Sequence, residues 1–297
     1  MFERLIKLVR QEDVTLFIGA GFSLEAGTPS VCMLRETIFN EMPEEKRKEH
    51  KNDGLDKLSD FYVEKECLGS RSSLVQLLKK KFEIRPISLN DHLALTNIPH
   101  FHYILTTNYD TLLEDTYPES YRQVVRNDND CSTMLKKPVT IFKIHGDFTD
   151  SNSLVITSQD YRNFFEHRRN PEMWKLVESE FLTKHICFIG YSLEDDNILD
   201  IINNISEAVG KNQKDMFLIA PNLTEEKQKK LQDMHVHYFD AKADLFLNEL
   251  DKDLKKNITR DYEQHMINAE TYSRYLHLHN IDPSVSPKDK KTMRLQV

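Results

Sequence analysis

Four short stretches of the chain set polar residues or glycines where an apolar run stops. In "ILTTNYDTLLE", Ile104 to Glu114, the residues Thr107, Asn108 and Asp110 follow a β-rich run, and in "FKIHGDF", Phe142 to Phe148, an apolar run delivers His145 directly to Gly146. "TLFIGAGFSLEAGTPS", Thr15 to Ser30, halts at Gly19-Ala20-Gly21 and spends a third glycine at Gly27, in a chain that has only eight. "CFIGYSLEDDNI" ends a further apolar run at Gly190 and Ser192. A glycine just after a buried strand lets the backbone turn sharply or approach a ligand closely. Free N–H groups at the start of a following helix favour an anion such as phosphate. The spacing here is neither G-x-G-x-x-G nor a Walker loop, so the glycine stretch alone fits a nucleotide-binding turn or a merely tight turn. Likewise Thr107 or Asn108 fits a helix cap, and a lone His145 at a strand end fits a packed side chain as well as a general base.

The elements that would position these residues follow from the hydrophobic pattern. Residues 2–11 have helical spacing, and Val14 to Ala20 reads as a buried strand. Pro29 opens a helix running to about Met42. Residues 43–90 are highly charged with helical periodicity and no strong strand, which marks a helical insertion. Strand signals return at Phe101 to Thr107, "YRQVVR", Pro138 to Gly146 and "LVIT", the last followed by a helix with Ser158 as its N-cap. A helix at Glu172 to Thr183, the strand "HICFIGYS", the helix "LEDDNILDIINNI", the strand "DMFLIAPN", a helix capped by Thr224, the strand "VHYFD" and a helix from Ala243 to Asn257 complete the pattern. This alternation predicts an α/β, Rossmann-like, mostly parallel sheet with helices on both faces. All four chemistry-bearing stretches then fall at carboxyl ends of strands, where open α/β sheets keep their ligand crevice.

Composition narrows the function. At 297 residues, 39% of them hydrophobic, the chain can bury a sizeable core. The formal net charge of −8 argues against a dedicated nucleic-acid binder, so direct nucleic-acid binding is not expected. Basic runs such as Lys79 to Lys81 read as solvated helix ends. Cys32, Cys67, Cys131 and Cys187 contain no C-x-x-C pair, so neither a zinc ribbon nor a metal is expected. Unpaired cysteines, a charged N-terminus without a signal-peptide core and the lack of an eighteen-residue apolar window point to a cytoplasmic protein without a membrane span.

In order along the chain, these motifs resemble the sirtuin-like (Sir2-like) family. The residues that carry the resemblance are Gly19-Ala20-Gly21-Phe22-Ser23, Gly27-Thr28-Pro29, Thr106-Thr107-Asn108-Tyr109-Asp110, His145-Gly146 and Gly190-Tyr191-Ser192. The resemblance spans roughly Val14 to Asp240. It implies NAD+ binding and cleavage of the nicotinamide–ribose bond. Gly19, Ala20, Gly21 and Ser23 would hold the pyrophosphate, with Thr28 beside them. Asn108 would orient the ribose or the attacking water, and Asp110 would meet the carboxamide. His145 would bond the ribose hydroxyls or act as base, and Gly190 and Ser192 would line the adenosine half. A neutral Asn can place a water without quenching the positive charge that develops on the ribose, and a histidine near pKa 6.5 suits proton transfer at neutral pH.

The departures carry information too. Protein-deacylating sirtuins have a zinc-binding small domain with paired C-x-x-C, which this chain replaces with its helical insertion. The chain thus resembles the bacterial immune branch, in which a sirtuin-like domain hydrolyses and depletes NAD+ during phage infection. A deacylase and a non-catalytic module that binds NAD+ or ADP-ribose are the competing readings. The expected division is a hydrolase domain at residues 1–257 and a C-terminal helix and tail at 258–297, the latter serving as an interface. Because constitutive NAD+ hydrolysis would kill the cell, control is expected from homo-oligomerisation or from a separately encoded partner, a HerA-like ATPase or an Argonaute-like protein.

Overall fold

A computed structural model describes residues 1–66, 68–166, 169–191, 202–203 and 214–282. Seven strands form its sheet: β1 Val14–Ile18, β2 Tyr103–Thr106, β3 Arg122–Val125, β4 Val139–Lys143, β5 His185–Ile189, β6 Met216–Ala220 and β7 Val236–Asp240. They lie in the order β3-β4-β2-β1-β5-β6-β7, and every neighbouring pair is parallel. β1 therefore sits at the topological switch. The chain leaves it toward β2 on one side and later returns as β5 on the other.

The inner strands are buried on both faces, so their apolar residues divide by the period of two. Leu16, Ile104 and Ile141 face one core, where Phe2, Leu5, Phe246, Leu250 and Leu254 cover them. Phe17, Leu105 and Phe142 face the other, against Trp174, Val177 and Phe181. Helices thus cover both faces, as expected. The insertion is helical throughout its regular elements, with Glu44–Arg47, Leu55–Phe61 and Arg71–Lys79. It builds a third core in which Leu58, Leu74 and Leu78 meet Tyr109, Phe148 and Leu154. Tyr109 and Phe148 lie just beyond β2 and β4, so the insertion roofs the carboxyl ends of the strands.

Three local expectations are corrected. "LVIT" is buried but is not a strand. It crosses the strand ends, where Val155 donates to the His145 carbonyl at 3.0 Å and its own carbonyl accepts from the Tyr109 hydroxyl at 2.6 Å. Its polar backbone is thus satisfied by loops rather than by a neighbouring strand. The helix Ser158–Phe165 is capped by Thr157, not Ser158, because Asp160 at the third position completes a capping box with Thr157. Pro29 precedes the N-cap of its helix, since Ser30 Oγ accepts from Met33 N–H at 3.2 Å.

The division expected at residue 257 falls inside the helix Ala243–Glu263. Past that point Ile258 is buried in the main core, and Asp261 receives Arg10 Nε at 2.7 Å and Nη2 at 2.6 Å. The next helix, Ala269–Leu278, buries Tyr275 and Leu276 against the same chain. An interface built on this helix must therefore use other residues. Of the expected helix beginning at Leu193 only residues 202–203 are described, and they are helical; the rest of it, like most of the tail, lies outside the described residues.

Candidate active site

One rung of the sheet sets the site. Ile18 aligns with Thr106 on β2 and with Ile189 on β5, and Thr106 aligns with Lys143 on β4. Gly19, Gly190, Asn108 and His145 all lie one or two residues beyond that rung. The four stretches picked out by residue type therefore do meet at one end of the sheet. Ser192 lies outside the described residues.

The glycines have a specific task here. Gly190 has φ +80°, and a Cβ on it would lie 2.4 Å from the Phe22 nitrogen. Cβ atoms on Gly19 and Gly21 would lie 2.7 and 2.6 Å from the Gly190 oxygen. Their absence lets the loop after β1 close on the loop after β5, with Gly19 N–H donating to Ile189 O at 2.9 Å and Gly21 N–H to Gly190 O at 2.8 Å. Those two amides are already bonded, so Gly19 and Gly21 offer a ligand close approach more than donors. Gly190→Ala combines a positive φ with a backbone clash. It is expected to lose roughly 2 kcal/mol or more of stability in a denaturant titration.

Asn108 is 4% exposed and held from several sides. Its N–H donates to Thr106 Oγ1 at 3.0 Å, and Thr106 Oγ1 donates to Ile18 O at 2.8 Å. Its Nδ2 donates to Ser23 Oγ at 3.2 Å, and Ser23 Oγ lies 3.3 Å from His92 Nε2. Burial lowers the His92 pKa, against the pull of Asp110, so the imidazole is neutral and can accept the Ser23 proton. Ser23 then accepts from Asn108, which fixes the amide with Oδ1 free. That buried Oδ1 has no hydrogen-bond partner among the described residues. Thr28 supports the same loop, its Oγ1 donating to Ser23 O at 2.9 Å.

Asp110 has a supporting role in the loop. Its Oδ1 caps Leu112 N–H at 3.1 Å, and its carbonyl accepts from Lys143 Nζ. Lys143 is fully buried and pairs with buried Glu114 at 2.9 Å. Burial raises the Glu114 pKa, and Lys143 opposes that rise.

His145 is 2% exposed, edge-on to Tyr161 at 5.4 Å and Phe164 at 5.0 Å. Burial pushes its pKa down to about 3, with only Asp160 acting the other way. This corrects the expectation of an ordinary histidine near 6.5. In this environment the ring is neutral at pH 7, a better hydrogen-bond partner than proton store, and its Nε2 has no partner among the described residues. A depressed histidine is linked to stability with a definite sign. Between about pH 6.5 and 3 the unfolded chain binds a proton that the folded chain refuses, so stability falls as pH falls. The stability difference between the parent and His145→Asn is expected to change by about 1.4 kcal/mol per pH unit across that window, measured by urea unfolding.

Residue type alone missed three contributors. His92 lies in "NDHLALT" on the helix Asn90–Thr96, and nothing in that stretch marks a contact with Ser23. Tyr191 OH donates to Ile18 O at 3.1 Å and lies 2.9 Å from Thr107 Oγ1, tying the β5 and β2 loops together. The Lys143–Glu114 pair was the third; a lysine inside an apolar strand is its one visible signal. A cavity of about 290 Å³ opens beside the site, with Thr28, Asp110 and Thr111 on one wall and Phe82, Ile84 and Pro86 of the insertion on the other.

A family model of the SIR2-like domain matches residues 102–239, the span from β2 through most of β7 that carries Asn108, His145 and Gly190. The chain carries a SIR2-like domain. Solved structures agree on the fold: a Sir2 homolog–NAD complex superposes with a TM-score of 0.52 at 14% identity, covering 86% of this chain and 94% of that one. A structure from work on the mechanism and regulation of Sir2 enzymes gives a TM-score of 0.51 at 11% identity, covering 86% of this chain and 97% of that one. Among curated relatives, the NAD(+) hydrolase ThsA of Enterococcus faecium is 31% identical over 231 residues, 76% of this chain and 47% of the relative. ThsA of Bacillus cereus is 26% identical over 264 residues, 87% of this chain and 53% of the relative. Defense-associated sirtuin 2 of Bacillus subtilis is 26% identical over 216 residues, 70% of this chain and 20% of the relative. The SIR2-like chain thus spans about half or less of the length of these relatives. Among its described residues, no group of three or more His, Cys, Asp or Glu is arranged to hold a metal, and no helix is long and apolar enough to cross a membrane.

Proposed function

We propose that this SIR2-like domain hydrolyses NAD+ to ADP-ribose and nicotinamide, as an effector of anti-phage defence. One observation carries the reading: the buried Oδ1 of Asn108, without a partner among the described residues and locked in orientation at the strand ends. Relatives named NAD(+) hydrolase support the choice of substrate. The bond from ribose C1′ to the nicotinamide nitrogen breaks, nicotinamide leaves neutral, and positive charge develops on the ribose. Asn108 Oδ1 accepts a hydrogen bond from the water that adds at C1′ or from a ribose hydroxyl, without adding a countercharge. His145 Nε2, neutral and dry, holds a ribose hydroxyl. The added water loses its proton to solvent. Gly19, Ala20, Gly21, Ser23 and Thr28 would face the pyrophosphate, Asp110 the carboxamide, and Gly190 with Ser192 the adenosine half.

The test is release of free nicotinamide from NAD+ by the purified chain with no peptide present. Turnover that required an acylated lysine would mean a deacylase, and tight binding without turnover would mean a binding module. EDTA in the same assay is expected to leave the rate unchanged. A rate lost on chelation and restored by zinc would refute the metal-free reading. Cytoplasmic action belongs to this proposal, as does control by homo-oligomerisation or by a HerA-like ATPase or Argonaute-like partner. Light scattering with and without the partner reads out that control.

A further inference from the structure

A second cavity lies at the other end of the sheet. It holds about 600 Å³ and is bordered by the first residues of β1 and β2, Val14 and Tyr103, and by the opening turn of the helix Ala269–Leu278. That is the size of a site for a nucleotide-scale molecule. Its wall includes Arg274, only 7% exposed. Tyr121 lies under the guanidinium, with its ring centroid 4.6 Å from Cζ. Arg274 Nε and Nη1 are buried and have no acceptor among the described residues. A guanidinium stays charged and offers five donors, so leaving it buried and unpaired is costly unless something supplies the acceptors.

The surroundings give that something a sign. Lys136 and Lys137 stand at the rim, Lys136 exposed and Lys137 reaching Ser120 O at 3.3 Å. The acidic groups on the wall are Glu12 and Glu270. Glu12 pairs with His102 at 3.4 Å, and Glu270 is exposed. Lys184 donates to Glu12 O at 2.7 Å, which leaves Arg274 as the buried cation without an acceptor. The opening turn of the helix adds N–H groups. Asn268 Oδ1 takes that of Thr271 at 2.9 Å, while those of Ala269 and Glu270 lie in the first turn, which has no intrahelical acceptors.

We propose that this cavity is a second ligand site, remote from the Asn108 crevice, for a small phosphorylated anion whose phosphate oxygens meet Arg274. The proposal is independent of NAD+ hydrolysis. The probe is inorganic pyrophosphate, titrated into the full chain by calorimetry, with ADP in a second arm to distinguish a bare phosphate from a nucleotide. Apart from any occupancy of the Gly19–Ser23 loop, one pyrophosphate is expected to bind per chain at this cavity, in a salt-sensitive manner. Arg274→Gln is expected to remove binding, and the rim variant Lys136→Glu/Lys137→Glu to weaken it about tenfold or more. Asn108→Ala is expected to leave it unchanged. Tighter binding of ADP, lost in the same variants, would narrow the class to nucleotides. If Arg274→Gln does not fold, the rim variant decides. No binding of either probe at millimolar concentration, or binding that neither Arg274→Gln nor the rim variant reduces, overturns the proposal.

Discussion

Asn108→Ala is expected to slow nicotinamide release from NAD+ by about 10²–10³-fold or more while melting close to the parent. The activity loss follows from geometry. Oδ1 has no partner among the described residues, so its bond is available to something that enters the crevice. The small stability effect follows from the same fact. Truncation gives up one side-chain bond, Nδ2 to Ser23 at 3.2 Å, and the backbone bond to Thr106 is kept. A neutral hydrogen bond of that kind contributes about 1 kcal/mol. Asn108→Asp sharpens the test, because it keeps an oxygen and loses the donor to Ser23. If orientation by Ser23 and His92 matters, Asn108→Asp is also impaired. A fully active Asn108→Ala, measured by chromatography of nicotinamide on a folded sample, would remove Asn108 from the mechanism.

What could be read from residues and spacing was whatever local pattern controls. The buried strands stood out because Val14–Ile18 and His185–Ile189 are continuous apolar runs, and their endings marked the crevice. The glycines at 19, 21 and 190 were visible as unusual, and their reason was not. It is a contact between two loops some 170 positions apart, which no local window contains. The same limit hid His92, whose partner Ser23 lies 69 positions away. His145 does lie just past a strand end, and an ordinary titration is the wrong expectation for it. The reference value near 6.5 belongs to a solvated ring, whereas Tyr161 and Phe164 leave this one dry. "LVIT" was misread as a strand because β-branched residues satisfy any buried extended segment, whether or not a neighbour completes a ladder. The C-terminal helix has an amphipathic face, and amphipathicity does not reveal whether that face is covered by the same chain or another. Tyr275 meets the chain's own core, and Leu276 beside it is buried as well.

Lys143→Met is expected to cost about 3–5 kcal/mol at neutral pH. Lys143 is 0% exposed and Glu114 4%, and their 2.9 Å contact offsets part of the cost of burying an acid at that depth. Removing the ammonium leaves Glu114 either charged without a partner or protonated at a cost set by pH. The sign can be worked out. Burial already raises the Glu114 pKa above its unfolded value, and losing Lys143 raises it further. The folded variant then binds a proton that the unfolded chain gives up, so its stability is greatest below the unfolded pKa and is lost as pH rises through the folded one. The deficit in urea unfolding is therefore expected to be smaller at pH 5 than at pH 8. Lys143→Met/Glu114→Gln, which removes both charges, is expected to recover much of the loss, and the cycle of four proteins gives the coupling. Recovery of folding is not expected to restore activity fully. Lys143 Nζ also donates to the Asp110 carbonyl, and no methionine replaces that bond. A refolded double variant that still releases nicotinamide slowly would place Lys143 as a positioning residue of the Asn108–Asp110 loop. A double variant with parental turnover would confine it to stability.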